Sequence, residues 1–177
     1  LIDAIKDWID PDDDVTRFGA ENGYYQSLEN PYSCGNGPIE SLGQMLLIKG
    51  VTKELFHGNK QMPGISSYLT VYGDGKININ TADPLVLGAL SDDIDTGMVN
   101  DIIEYRLDKR NDLKNPLWYQ KVPGMADTTI EPGLIKTSSP YFEIKSSGIS
   151  GAMNKKVAAI IKREGEKPAR VLAWKVE

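Results

Sequence analysis

The chain has 177 residues, of which 40% are hydrophobic and 25% are charged, and this balance is typical of a globular protein with one large or two small domains. Its net charge of −5 is unevenly spread, because residues 1–40 carry nine acids and two bases whereas residues 141–177 carry eight bases and four acids. An acidic N-terminal half argues against nucleic-acid binding, which needs a basic face.

Cysteine and hydropathy patterns exclude further classes. Cys34 is the only cysteine, so an intramolecular disulfide is impossible, and a single Cys with a single His cannot build a zinc site. No apolar run is long enough to span a membrane, and the sequence has no signal peptide. Because the first residue is Leu1 inside a predicted helix, we expect that a preceding segment has been removed.

A cluster of carboxylates follows the first predicted helix, which covers residues 1–9. An EF-hand loop needs oxygen ligands at positions 1, 3 and 5 and a glutamate at position 12. Counted from the first acid of the cluster, these positions hold Asp10, Asp12, Asp14 and Glu21. Position 6 holds Val15 instead of the expected glycine, so the loop departs from a true EF-hand.

Two interpretations of this acidic loop remain open. Carboxylates so close together repel one another unless a cation lies among them or water screens them. Calcium takes six to eight oxygen ligands in irregular geometry, which predicts a calcium site with Asp13 as a weaker candidate ligand. The alternative is a solvated acidic turn in which Asp10 caps a helix end.

The middle of the chain reads as mostly helical. Apolar spacing and capping residues predict helices over residues 19–28, 41–48, 53–57, 84–90 and 98–110. Residues 30–38 are rich in Gly, Pro and Asn and predict a loop, whereas residues 68–72 are strand-like.

The last forty residues have a different pattern. Residues 141–149 and 170–176 alternate like strands, while residues 152–163 fit either a helix or a strand. Three short segments joined by tight turns favour an antiparallel meander. The pattern therefore predicts a helical body over residues 1–136 and a β region over residues 137–177.

Several short motifs follow one another along the chain: Asp7-Trp8-Ile9-Asp10, Gly19-Ala20-Glu21, Tyr24-Tyr25, Pro31-Tyr32, Asn36-Gly37-Pro38, residues 46–52, residues 68–73 and Ile77-Asn78-Ile79-Asn80-Thr81-Ala82. Taken in this order, they resemble the general secretion pathway protein K family, the large minor pseudopilins of the bacterial type II secretion system. The likeness covers nearly the whole chain. The Gly-Ala-Glu motif and the later Asn-x-Asn-Thr-Ala motif are fairly specific as a pair.

The resemblance implies an α+β fold, in which a pilin-like antiparallel sheet carries a large inserted helical domain of SAM-like, helix-hairpin-helix-like type. Residues 1–136 would be the inserted domain, with the acidic loop in residues 1–70 and the helix-hairpin-helix-like half in residues 71–136. Residues 137–177 would be the last strands of the pilin-like domain, so residues 152–163 would form a strand. Family members also have an N-terminal membrane helix that is absent here.

The resemblance implies a structural role rather than catalysis. Family members bind calcium near the acidic loop, which strengthens the prediction for Asp10, Asp12, Asp14 and Glu21. They cap the tip of the pseudopilus filament with minor pseudopilins I and J, and they support the export of folded proteins, with secreted substrates as further candidate contacts. The chain would be the periplasmic domain of a protein anchored in the bacterial inner membrane by its missing helix alone.

Two departures from the family pattern affect these expectations. Gln44-Met45 stands where family members often have Glu-Leu, so a partner or packing contact differs there. Ser33-Cys34-Gly35 is an unusual insertion in the loop that follows Pro31-Tyr32. If that loop lends a ligand to the cation, Asn36 is a weaker candidate.

Two rival functions receive less support. Residues 77–82 followed by two helices also resemble a helix-hairpin-helix nucleic-acid-binding module, but its turn holds Asp92, Asp93 and Asp95 where phosphate needs amide donors. An enzyme is disfavoured because His57 is the only histidine and neither Gly-x-Ser-x-Gly nor a P-loop occurs. We predict no catalytic residues and no nucleic-acid partner.

Overall fold

The computed structural model describes residues 1–151 and 153–176. It divides into two compact units, Leu1–Val71 and Tyr72–Glu177. Ala152 and Glu177, which fall within the predicted β region, lie outside the described residues. Each unit is described by itself.

The first unit is built from short helices. They are α1 (Ile2–Ile9), α2 (Asn22–Gln26) and α3 (Lys53–His57), with 3₁₀ helices at Leu42–Leu47 and Ile65–Ser67. α3 begins where the sequence predicts, because the Thr52 side chain accepts a hydrogen bond from the Leu55 amide at 3.0 Å. The predicted helix over residues 41–48 is a 3₁₀ helix.

Aromatic rings dominate the core of this unit. Its buried residues are Ala4, Trp8, Ala20, Tyr25, Cys34, Met45, Ile48, Val51 and Phe56. The Trp8 ring meets the Tyr25 ring edge-on with centroids 5.2 Å apart, a favoured aromatic geometry. Tyr25 in turn lies 5.3 Å from Tyr32, measured between ring centroids. Through these rings α1 packs against α2 and against the loop that follows it.

The second unit begins with two helices and a small parallel pair of strands. α4 (Pro84–Gly88) and α5 (Thr96–Leu107) start after Asp83 and Asp95, whose side chains accept from the Leu85 and Met98 amides. β1 (Ile77–Asn78) pairs with β2 (Ile135–Lys136). Two 3₁₀ helices, Pro116–Lys121 and Pro132–Leu134, lie between α5 and β2.

One asparagine organises the polar interior of this unit. The side-chain amide of Asn80 donates to the carbonyl oxygens of Leu113 at 3.2 Å and Thr137 at 3.0 Å. Its oxygen accepts from the indole N–H of Trp118 at 2.8 Å. Trp118 is buried and stacks on Tyr105. Asn80 therefore satisfies three polar groups beside the apolar core.

The C-terminal residues form an antiparallel sheet in the order β3-β4-β5. The strands are β3 (Tyr141–Ser150), β4 (Met153–Lys162) and β5 (Arg170–Val176). The register places Ile144 opposite Ala159, and Ala159 opposite Trp174, on one face. The predicted meander is confirmed, as is the strand assignment of the ambiguous segment.

One predicted strand is wrong. Residues 68–72 form turns and bends. The amide of Tyr68 donates to the Ile65 carbonyl at the end of a 3₁₀ helix, so it is not available to a strand ladder. The mixed α and β fold with an antiparallel sheet agrees with the prediction, whereas the separation of residues 1–136 from residues 137–177 as domains stays a prediction.

Helix length limits one further property. The longest helix that the structure describes, α5, has 12 residues. Within the described residues no helix is long and apolar enough to cross a membrane.

Asn80→Ala should destabilise the second unit by about 2–4 kcal/mol, because it leaves the Trp118 N–H and two carbonyl groups without their partner. Denaturant unfolding followed by tryptophan fluorescence measures the change. Asn100→Ala, at an exposed position on α5, is the control and should shift stability by less than about 0.5 kcal/mol. Equal unfolding midpoints for the two variants would contradict the role of Asn80.

Candidate functional site

The acidic loop is anchored to α1 by two carboxylates one turn apart. Asp7 is fully buried, and its carboxylate accepts from the Thr16 amide at 3.1 Å and from the Thr16 hydroxyl at 2.6 Å. Asp3 accepts from the Phe18 amide at 3.1 Å. Residues four apart on a helix share a face. Asp3 and Asp7 therefore bind the C-terminal end of the acidic loop to α1 at two points.

Glycine is required where the loop passes this anchor. A Cβ atom on Gly19 would lie 1.8 Å from a carboxylate oxygen of Asp7. The close passage leads directly into Glu21, whose carbonyl accepts from the Tyr24 amide at the start of α2. The Glu21 side chain makes no cap hydrogen bond to α2, and it is 2% exposed.

A second loop closes over the first. The Cys34 amide donates to the Asn22 side chain at 2.8 Å, and a Cβ atom on Gly35 would lie 2.6 Å from the indole nitrogen of Trp8. Asn36 has a positive φ of 41°, a conformation that asparagine tolerates. Its side-chain amide donates to the Asp12 carbonyl oxygen at 3.1 Å.

Asp13 is the point where the two loops meet. Its carboxylate accepts from the side-chain amides of Asn22 at 2.7 Å and Asn36 at 3.2 Å. Both amides are therefore turned with their nitrogens towards Asp13. The Asn36 side-chain oxygen is left without a hydrogen-bond partner.

Four buried side-chain oxygens at this place have no hydrogen-bond partner. They are one carboxylate oxygen of Asp10, both carboxylate oxygens of Glu21 and the side-chain oxygen of Asn36. A buried acceptor without a donor is costly, and native proteins contain few. All four atoms are oxygens and can only accept while the carboxyl groups are ionised. A hard cation such as calcium suits this donor set.

The electrostatics favour the same partner. Burial, followed by the negative charges of Asp7 and Asp10, raises the pKa of Glu21 above its usual range. The neighbouring Cys34 thiol acts in the opposite direction and offsets only part of this increase. Burial, followed by the charges of Asp12 and Asp7, also raises the pKa of Asp10. Either a proton or a cation relieves this concentration of negative charge.

The predicted ligands differ in exposure and in hydrogen bonding. Asp12 and Asp14 are exposed, and an Asp12 carboxylate oxygen accepts from the Asp14 amide at 2.9 Å. In the described part of the chain, no group of three or more His, Cys, Asp or Glu side chains is gathered so that it could hold a metal ion. The ligand set Asp10, Asp12, Asp14 and Glu21, with Asp13 and Asn36 as weaker candidates, stays a prediction. Among these residues, Asp10, Glu21 and Asn36 carry buried oxygens without a hydrogen-bond partner.

Sequence reasoning missed three residues that build this site. The Asp3 and Asp7 spacing on one face of α1 could have identified Asp7 as an anchor. Asn22 and Gly35 carry no sequence signal, because their roles depend on contacts with residues 12 and 27 positions away in the chain.

The structure adds no support for an enzyme site at the histidine or for a phosphate-binding turn between α4 and α5. His57 is exposed at the end of α3, with its ring edge-on to Phe56. In the turn between α4 and α5, Asp92 and Asp93 are exposed and Asp95 caps α5. Carboxylates at this turn repel a phosphate group.

Comparison with known proteins agrees with the predicted family. Residues 1–63 match the family model described as type II secretion system (T2SS), protein K. The type II secretion system protein K of Aeromonas hydrophila is 33% identical over 87 residues, covering 48% of this chain and 24% of that protein. This part of the chain is similar to the type II secretion system protein K family. The corresponding protein of Klebsiella pneumoniae is 28% identical over 86 residues, again covering 48% of this chain and 24% of that protein.

The match to these family members spans about a quarter of their length. A solved structure of the GspK-GspI-GspJ complex from the type 2 secretion system of enterotoxigenic Escherichia coli contains a chain with a TM-score of 0.70 and 21% identity. The alignment covers 99% of this chain and 61% of that chain. The two chains therefore share a fold.

Gly35→Ala should destabilise the first unit by about 1–3 kcal/mol, because the added methyl group overlaps the Trp8 indole in a close-packed core. Gly37→Ala is the matched control, since its Cβ atom would meet nothing closer than 3.7 Å. Thermal unfolding measures both. Equal melting temperatures would show that the second loop does not lie on Trp8.

Glu21→Gln should have opposite effects with and without calcium. In chelator, the folded-state pKa of Glu21 lies above its unfolded value, so the wild type loses stability as pH rises through that pKa. The glutamine variant lacks this loss and should be the more stable protein at pH 7 and above. The difference should disappear as the pH falls below the unfolded-state pKa of about 4.3, where the wild-type carboxyl group is protonated in both the folded and the unfolded chain.

With excess calcium the order should reverse, because glutamine has lost the ligand charge. Melting temperatures measured across this pH range, in both conditions, test the prediction. Glu29→Gln, at an exposed position, should show neither effect. An unchanged order of wild type and Glu21→Gln in the two conditions would contradict it.

Proposed function

We propose that the chain is the periplasmic part of a minor pseudopilin, a structural protein rather than an enzyme, whose acidic loops are held together by calcium. One observation carries the proposal. The unpartnered buried oxygens of Asp10, Glu21 and Asn36 lie within residues 1–63, the segment that matches the protein K family model.

Asp10, Glu21 and Asn36 would hold the ion, with Asp12 and Asp14 as nearby carboxylates. When bound, calcium supplies the positive charge that these loops lack. The protein's own residues provide the rest of the support. Asp7 holds the returning segment on α1 through Thr16, and Asp13 joins the two loops through the amides of Asn22 and Asn36. Neutralising the loops would stiffen the first unit, which we take to be part of an inserted helical domain.

The resemblance to the protein K family supports a proposal about partners. A chain of similar fold occurs in the GspK-GspI-GspJ complex. We propose that this chain likewise assembles with minor pseudopilins I and J at the tip of the pseudopilus filament. The longer protein would be anchored in the inner membrane and would support export of folded proteins across the outer membrane, with secreted substrates as further candidate contacts.

A bulky, stiff helical unit would suit the end of a filament and would obstruct subunits packed in its middle. Immunogold labelling of assembled pseudopili tests this point. Label along the whole filament, rather than at one end, would contradict the tip position.

Thermal unfolding with calcium, magnesium and chelator tests the ion directly. Calcium at 100-fold excess over its dissociation constant should stabilise the protein by about 2.7 kcal/mol, while magnesium, which demands tighter octahedral geometry, should stabilise it much less. Glu21→Ala should abolish the calcium effect, whereas Glu29→Ala, an exposed control, should retain it. If calcium leaves the wild type unchanged, the acidic loop is a solvated turn.

Co-purification with minor pseudopilins I and J tests the partners. The wild type should form a stable complex in calcium and less of it in chelator, because the docking surface needs an ordered unit. Recovery of neither pseudopilin, with the calcium effect on unfolding intact, would remove the assembly role and keep the ion site.

A further inference from the structure

Lys49 reaches from the segment after the 3₁₀ helix Leu42–Leu47 to the C-terminal end of the acidic loop. Its ammonium group donates to the Gly19 carbonyl oxygen at 2.9 Å, and the same group lies 5.0 Å from the centroid of the Tyr24 ring. Its backbone amide donates to the Tyr25 hydroxyl at 3.3 Å. Lys49 therefore contacts both the acidic loop and α2.

The backbone that carries Lys49 is fixed on the core of the first unit. The Leu47 carbonyl oxygen accepts from the Tyr32 hydroxyl at 2.7 Å, and Ile48 is buried. Lys49 itself is half-buried. A hydrogen bond from a charged donor is stronger than one between neutral groups. The ammonium group therefore makes a firm contact from a fixed base.

Gly19, which accepts this hydrogen bond, is held on three sides. Its amide donates to the Thr16 carbonyl oxygen at 3.0 Å, and its Cα passes close to the Asp7 carboxylate, where a Cβ atom would overlap an oxygen. The contact from Lys49 acts on the peptide group that joins Gly19 to Ala20. Because glycine has more backbone freedom than any other residue, this peptide group can rotate more easily when the Lys49 contact is removed.

The same peptide group sets the direction in which the chain enters the proposed cation site, formed by Asp10, Glu21 and Asn36. Ala20 and Glu21 are the next two residues, and each is only 2% exposed. Both carboxylate oxygens of Glu21 lack a hydrogen-bond partner, so the position of this side chain depends on the backbone that carries it. A ligand that is already in place costs less free energy to bind than one that must first be ordered.

We propose that Lys49 is a positioning residue for the cation site, because its ammonium group holds the Gly19 carbonyl and thereby places Glu21 for the ion. The inference rests on the proposed function. Lys49 acts through the backbone of residues 19–21 and is not itself a ligand, since an ammonium group has donors and no acceptor. The acidic loop is then held on one side by Asp7 and on the other by Lys49.

Lys49→Met separates this role from the effect of charge. The variant keeps most of the side-chain length, and its sulfur can still contact the Tyr24 ring, but it removes the donor and the positive charge. If Lys49 acted only through its charge, its removal should strengthen the binding of a cation. If Lys49 positions Glu21, the variant should instead bind calcium about tenfold more weakly, because a freed residue has to be ordered when the ion binds.

Calorimetric titration of calcium into the folded chain, well below the melting temperature of each protein, measures the dissociation constants. A residue that only stabilised the fold would lower the melting temperature in chelator and leave the dissociation constant unchanged, because the ion binds the folded chain. Lys49→Arg should restore most of the wild-type affinity, since a guanidinium group also donates hydrogen bonds and stacks on aromatic rings. Lys60→Met removes the same charge at an exposed position, and this matched control should bind calcium as the wild type does. Lys49→Gln, which is shorter and uncharged, replaces Lys49→Met with the same expectation if that variant does not fold.

An unchanged or lower dissociation constant for Lys49→Met, with calcium still bound by the wild type, would overturn this inference and leave the proposed function standing. Binding by Lys49→Arg as weak as that of Lys49→Met would overturn it too, because the hydrogen-bond donor would not be the cause. Absence of calcium binding to the wild type would overturn the proposed function and, with it, the role of Lys49. The two failures are therefore distinguishable.

Discussion

A carboxylate placed in a protein interior has to find hydrogen-bond donors or a counter-charge, and the first unit is arranged around this requirement. Asp7 meets it with donors, because the amide and hydroxyl of Thr16 both reach its carboxylate. These two hydrogen bonds fix the path of the acidic loop along α1. It also fixes the residue at Gly19, since the chain passes too close to Asp7 for any side chain. The position of Glu21 follows from this passage.

Glu21 is also buried, but its carboxylate oxygens have no hydrogen-bond partner among the protein's own groups. The donors nearby are already engaged, because the amides of Asn22 and Asn36 turn towards Asp13. Burial and, after it, the negative charges of nearby aspartates raise the pKa values of Glu21 and Asp10. The contrast between a satisfied Asp7 and an unsatisfied Glu21 separates a structural carboxylate from a candidate ligand. The proposal of a calcium site therefore rests on burial and charge as well as on the resemblance to the family.

The second unit is stabilised differently. Its interior depends on the side-chain amide of Asn80, on the Arg106 guanidinium, which donates to the Ile79 and Ala82 carbonyl oxygens, and on apolar packing around Trp118. The C-terminal sheet adds an antiparallel ladder, with one register shift between Ile160 and Ile161, in which no described residue from β3 to β5 is fully buried. The proposed ion therefore concerns the first unit, and the mixed fold of the second unit follows from ordinary caps, amides and strand pairing.

The sequence by itself determined the elements whose causes are local. Thr52 caps its helix as the pattern predicts, and Asp83, one of two candidate caps with Thr81, caps the helix at Pro84. Alternation in residues 141–176 predicts the meander, because caps and strand faces depend on neighbouring residues. The motif order pointed to the family, and clustering of acids pointed to an ion. Only the tertiary structure decided which acids are buried. Asp12 and Asp14 fit the spacing template and are exposed, whereas Asn36 comes from a distant loop. Spacing along the chain constrains only a site within one loop. Burial, and side-chain oxygens without hydrogen-bond partners, arise where two loops meet. That meeting depends on contacts between residues far apart in the sequence.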